Sequence, residues 1–201
     1  PVSIAVCDPL DATTHAAYIL AGLADKRLIG MAGILDTARY RAFLAEALDV
    51  SPKDIQAILM GGHGDSMVPL PRLTTVSGIP VTELIAMDKL QAIVDRTKQG
   101  GGELVKLMGT SAWYAPGAAA AQMVEAIAKD EKRIFPCCVK LNGHYGLKDV
   151  FVGVPVKLGK NGVEQILELK LSPDETALLH QSAHEVRSTM DVYDNLPSQP
   201  A

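Results

Sequence analysis

The chain opens on an apolar run, Ser3-Ile4-Ala5-Val6-Cys7, that reads as a buried strand and stops at Asp8-Pro9. Such a strand needs neighbours on both sides, so we expect something upstream of it. Asp11 stands where an N-cap belongs, ahead of helical spacing that runs to about residue 23. A longer helix is expected over 30–50, with Leu35, Ala38, Ala42 and residues 44–48 on its apolar side. Residues 55–60 form a short apolar strand that leads into Gly61-Gly62-His63-Gly64-Asp65-Ser66. The stretch 67–79 looks extended, and prolines at 69, 71 and 80 keep it irregular or at a sheet edge.

Two helices are expected next, over 88–98 and 103–108, parted by Gly100-Gly101-Gly102. An alanine-rich helix follows from Pro116 to about Lys129. Beyond Arg133 the pattern turns to β: 134–141, 150–158 and 163–171, with Gly159-Lys160-Asn161-Gly162 marking a hairpin. Pro173-Asp174-Glu175 then opens a last helix, with Leu179, Ala183, Val186 and Met190 at helical spacing, before a frayed tail. Mixed helices, an antiparallel meander and a closing helix predict an α+β fold. Neither an internal repeat nor a dividing linker is visible.

Composition narrows the function classes. The 201 residues are 48% hydrophobic and carry 19 Lys+Arg against 23 Asp+Glu, a formal charge of -4. The basic residues form no run; those between 129 and 133 are interleaved with Asp130 and Glu131. Nucleic-acid binding along a phosphate backbone is not expected. Nor is a membrane span, since no apolar run approaches about 20 residues. The first residues lack the cationic start of a signal peptide. Three cysteines, two of them adjacent, do not make a disulfide framework, and a reducing, cytoplasmic setting fits them best.

The candidate chemistry lies in polar residues on glycine-rich turns. His63 leads, because its flanking glycines leave the imidazole open to a small ligand and histidine transfers protons near neutral pH. A loop histidine that merely satisfies a turn would read the same way. Asp36 and Arg39 lie three apart on one helix face. There a carboxylate could orient a histidine and a guanidinium could grip a substrate carboxylate, or the two could form a simple surface ion pair. Cys137, Cys138 and His144 would make a partial metal set, but adjacent cysteines on a strand point to opposite faces, so no metal is expected. His15 reads as packed or interfacial, and the pair His180 and His184 lacks a zinc-protease pattern. Asp65-Ser66 beside His63 has no nucleophile elbow. Gly-x-Gly-x-x-Gly and Walker A motifs are absent from the sequence.

Several segments, taken in order, resemble the lactate/malate dehydrogenase family, and more closely its malate branch. They are Asp8-Pro9-Leu10-Asp11, Gly30-Met31-Ala32-Gly33-Ile34-Leu35-Asp36-Thr37-Ala38-Arg39-Tyr40-Arg41, and Gly61-Gly62-His63-Gly64-Asp65-Ser66. Ser111-Ala112-Trp113-Tyr114-Ala115-Pro116, Leu141-Asn142-Gly143-His144-Tyr145-Gly146 and Val152-Gly153-Val154-Pro155 complete the series. The resemblance extends to about Leu171. It implies the C-terminal catalytic domain of that fold over 9–192, with 1–8 a remnant strand of a nucleotide-binding domain and 193–201 a tail. The nucleotide-binding half, on the order of a hundred residues or more, would lie upstream with its arginine-bearing mobile loop.

The implied activity is interconversion of malate and oxaloacetate with NAD. His63 would be the general acid/base and Asp36 would hold its ring. Arg39 would pair with the carboxylate beside the reacting carbon, while Asp8, Ser111 and Ala112 would line the substrate pocket. Val6, Asp8 and His63 would touch the cofactor. Family members are dimers or tetramers, and the helices near 12–23 and 118–121 are candidate subunit contacts. One departure stands out: the family has asparagine before Pro9, whose amide donates to the reacting oxygen, and Asp8 cannot donate when ionised. The competing reading is a non-enzymatic relative that keeps the scaffold for binding or oligomerisation.

Overall fold

The computed structural model describes residues 1–195. Strand β1 (Ser3–Ala5) pairs in parallel with β2 (Leu28–Gly30), and helix α1 (Leu10–Ala21) connects them. Helix α2 (Gly33–Leu48) follows. Four two-residue strands come next: β3 (Ile55–Gln56), β4 (Leu59–Met60), β5 (Val68–Pro69) and β6 (Thr75–Val76). Then come β7 (Ile79–Pro80), the single turn α3 (Val81–Leu84), and the long helices α4 (Met87–Met108) and α5 (Tyr114–Ala128). The chain ends with β8 (Arg133–Asn142), β9 (Lys148–Gly159), β10 (Gly162–Ile166) and α6 (Pro173–Asp194).

The main sheet has the order β1-β2-β8-β9-β10, antiparallel from β2 onward. The α+β expectation holds, as does the hairpin, where Gly159 pairs with Gly162. Cys137 and Cys138, successive on β8 and so facing opposite ways, are both fully buried. The sheet is therefore covered on both sides. Helices α1, α2, α5 and α6 supply the cover. A second cluster, built on Tyr40, Leu44, Ile55, Leu59 and Leu90, packs between α2, α4 and the small strands. Helix α6 starts cleanly because Ser172 and Glu175 form a reciprocal capping box. It runs to Asp194, and residues 196–201 of the expected tail lie outside the described residues.

Several local expectations are corrected. The helix expected from residue 30 starts at Gly33, because Leu28–Gly30 is a buried strand wedged between β1 and β8. Residues 55–60 are two strands in different small sheets, one pairing with β6 and the other with β5. The last strand ends at Ile166 rather than near 171. Asp11 is no cap: it lies inside α1, with Pro9 at the N-cap, and it is buried. The two helices around the triple glycine are one. Leu90, Val94, Thr97 and Gly100 make a continuous buried stripe on α4, and a Cβ at Gly100 would stand 2.4 Å from Arg39 Cδ. Glycine costs a helix about 1 kcal/mol relative to alanine, but here it lets the arginine lie across the helix.

Gly153 on β9 is another position where a side chain has no room. Its N–H and C=O exchange 2.9 Å hydrogen bonds with Gly61, and an added Cβ would meet Gly61 O at 2.5 Å. Gly153→Ala is therefore expected to destabilise the protein by about 1–3 kcal/mol, read as a lower urea midpoint with unchanged slope.

Candidate functional site

Two elements bring the polar candidates to one cleft. Asp36 and Arg39 stand one turn apart on α2, and His63 sits on the turn after β4. His63 Nδ1 is 2.9 Å from Asp36 Oδ2, and Arg39 Nη1 donates to Asp36 Oδ1 at 3.3 Å. Asp36 is only 1% exposed, so the surface-pair reading fails for it. The turn that carries His63 is held from behind. The His63 N–H donates to Asp11 Oδ2 at 2.8 Å, and the Gly62 N–H donates to Ser182 Oγ of α6 at 2.8 Å.

A cavity of about 400 Å³ opens in front of these groups. Val6, Asp8, Arg39, His63, Ser111 and Ala112 all line it, so every expected site residue except the buried Asp36 reaches it. Reading the sequence missed Lys98 on the same wall, and it missed Asp11 behind the turn. Lys98 sits in a polar helix face that looks merely solvated. The signal for Asp11 was present but misread, as an acid at a helix start. His15 pairs with Asp194 at 2.8 Å, and His180 bonds the Tyr145 carbonyl; both lie away from the cavity. Among the described residues no cluster of His, Cys, Asp or Glu has metal-binding geometry.

Electrostatics favour a charged imidazole. Burial opposes the cation of His63, but the hydrogen bond to Asp36 and the charges of Asp36, Asp11 and Asp8 outweigh it and raise the pKa above 6.5. That contribution to stability is present at low pH and fades as pH rises through the folded-state value. Burial likewise pushes the carboxyl of Asp11 up to about 6. The carboxylate of Asp36 accepts Nδ1–H, which leaves Nε2 as the nitrogen that gains or loses a proton. Arg39 spends only Nη1 on protein acceptors among the described residues, Asp36 and the Thr97 carbonyl at 3.4 Å. Its remaining donors are open to an anion.

Fold and site together define an α+β domain in which a histidine held by a buried carboxylate, and a guanidinium, face one cavity. The chain matches the model for the lactate/malate dehydrogenase alpha/beta C-terminal domain over residues 34–195, and it belongs to that family. It is 62% identical over 198 residues to malate dehydrogenase of Cytophaga hutchinsonii, covering 98% of this chain and 64% of that one. The solved malate dehydrogenase of Salinibacter ruber superposes with a TM-score of 0.95 at 58% identity, over 97% of this chain and 64% of that one. Plasmodium falciparum malate dehydrogenase in complex with NADH superposes with a TM-score of 0.92 at 38% identity, over 95% and 65% respectively. The chain thus spans under two thirds of the length of these relatives.

Proposed function

We propose that this chain is the substrate-binding and catalytic part of an NAD-dependent malate dehydrogenase. The observation that carries the reading is that His63 and Arg39 face one cavity while the buried Asp36 bonds both from behind. In the direction of reduction, Arg39 pairs with the C1 carboxylate of oxaloacetate and orients its C2 carbonyl toward Nε2. Nε2–H of the imidazolium donates its proton to the carbonyl oxygen, and the ring relaxes to the neutral Nδ1–H tautomer against Asp36. In oxidation Nε2 takes the hydroxyl proton, and the buried carboxylate stabilises the cation that forms. Bound NAD would accept hydride from C2 of malate, and NADH would return it.

The residues present fit the nicotinamide end of such a cofactor and no more of it. Val6, 44% exposed at the cavity lip, and Met31 give an apolar wall beside His63. The sequence has no Gly-x-Gly-x-x-Gly turn for a pyrophosphate. We read 9–192 as the catalytic unit, and 1–8 as a strand shared with a nucleotide-binding sheet. The outer edge of β1, which has no strand beside it among the described residues, supports that reading. Exposed Leu20 on α1 and Tyr114 and Val124 on α5 support self-association as a dimer or tetramer. No helix among the described residues is long and apolar enough to cross a membrane; we read the enzyme as cytoplasmic, because its adjacent buried cysteines make no disulfide framework.

The test is oxaloacetate-dependent loss of NADH absorbance by the intact protein, with Asp8→Asn as a second arm. Asp8 lines the cavity near His63, where its charge repels a dicarboxylate and its oxygens cannot donate. Asp8→Asn is expected to raise kcat/KM about tenfold, the equivalent of one hydrogen bond. Equal rates would remove Asp8 from the reaction. No turnover in either protein favours the scaffold reading.

A further inference from the structure

Oxaloacetate and malate carry two carboxylates, and the scheme above gives a partner to one. Arg39 takes the C1 carboxylate, and it already shares its charge with Asp36. Among the described residues the only other lysine or arginine on the cavity wall is Lys98 of α4. Lys98 is half-buried, and among the described residues no ion pair holds it. Arg96, two residues earlier, is by contrast engaged by Glu46 and Glu103. An ammonium has three donors and no acceptor, so one left unpaired beside a cavity invites an anion.

The backbone of α4 sets Lys98 next to the guanidinium. Thr97 is fully buried, and its hydroxyl donates to the Ile93 carbonyl. The carbonyl of Thr97 accepts from Arg39 Nη1 at 3.4 Å, and the residue that follows, Lys98, faces the cavity. Gly101 and Gly102 also line it, and an added Cβ on either would meet nothing within 4 Å, so the wall after Lys98 is bare backbone with room for a substrate. We propose that Lys98 is a specificity-determining residue, receiving the C4 carboxylate while Arg39 holds the C1 carboxylate. The proposal rests on the dehydrogenase reading above.

The neighbouring acids sharpen the preference. Asp8 and Asp65 line the same cavity, and Asp65 and Glu185 line a second one that Lys98 also borders. These charges offset the ammonium without touching it, whereas a substrate carboxylate can bond to it directly. A 2-oxo acid that ends in a methyl group gives Lys98 no acceptor and takes water from it. The dicarboxylate is thus favoured both by what it gains and by what its rival loses.

The experiment compares reduction of oxaloacetate by the intact protein with that of 2-oxobutyrate, which has a methyl group in place of the C4 carboxylate. Lys98→Met keeps an apolar stem and removes the charge. It is expected to lower kcat/KM for oxaloacetate by about ten- to a hundredfold, mostly through KM, as the loss of one charge-assisted hydrogen bond. The value for 2-oxobutyrate should hold or rise, and Lys98→Arg should keep most of the preference. An equal fall for both acids, or no fall for oxaloacetate, overturns the proposal. If Lys98→Met does not fold, Lys98→Gln is judged by the same criteria. Where the unmodified protein does not turn over both acids, calorimetric titration with malate and 2-hydroxybutyrate decides. A preference for malate that Lys98→Met abolishes upholds the proposal; no preference, or one that survives, overturns it. Turnover of neither acid overturns the dehydrogenase reading separately.

Discussion

His63→Gln in the intact protein is expected to lower kcat/KM for oxaloacetate reduction by about 10²–10⁴-fold, the range a positioned general acid supplies. Glutamine can still hydrogen-bond but cannot cycle a proton, so the loss falls on the chemical step. Oxaloacetate affinity should change far less, because the guanidinium of Arg39 stays on the cavity wall and keeps Asp36 as its partner. Steady-state kinetics paired with calorimetric titration of oxaloacetate separates the two. A loss smaller than tenfold would mean that the proton comes from elsewhere, and the acid–base assignment would fall with it. The pH profile of the unmodified protein supplies a second check. Reduction needs the imidazolium, so its rate declines as pH rises through a value above 6.5; malate oxidation needs the neutral ring and gains over the same interval.

Asp36→Asn should cost about a hundredfold in reduction near neutral pH, from two separable causes. The buried carboxylate is the strongest influence opposing the burial of the His63 cation. Once it is neutral, burial prevails and the imidazole gives up its proton at lower pH. The limb on which reduction declines then moves toward acid, and that shift is the diagnostic reading. The second cause is the tautomer: an amide nitrogen turned toward Nδ1 would donate to it and place the neutral ring's hydrogen on Nε2. Part of the loss should therefore persist at low pH, where every ring is charged, because the amide holds the imidazolium less firmly. If rate and profile both match the parent, the hydrogen bond at 2.9 Å has no part in turnover.

The candidate site was legible where its residues are neighbours in sequence. Asp36 and Arg39 are a turn apart on one helix, and His63 is announced by the glycines around it. What could not be read is what the fold brings from a distance. Ser182 and Gly62 are 120 residues apart in sequence, and Asp11 is 52 from His63; nothing in either neighbourhood points to the other. The three glycines of α4 misled because propensity is local, whereas Arg39, pressed against Gly100, belongs to another helix. β2 was hidden for a related reason. Three residues are too few to show a period, and only its buried place in the middle of the sheet makes them a strand.

The moorings of the His63 turn also determine how the protein fails. Its amides are tied to α1, to α6 and, through Gly61, to β9. Those elements belong to the core that closes the domain, so the turn has no private route to loosening while the rest stays intact. Thermal inactivation and global melting should therefore coincide, and the His63 imidazole keeps its place until cooperative collapse takes it away.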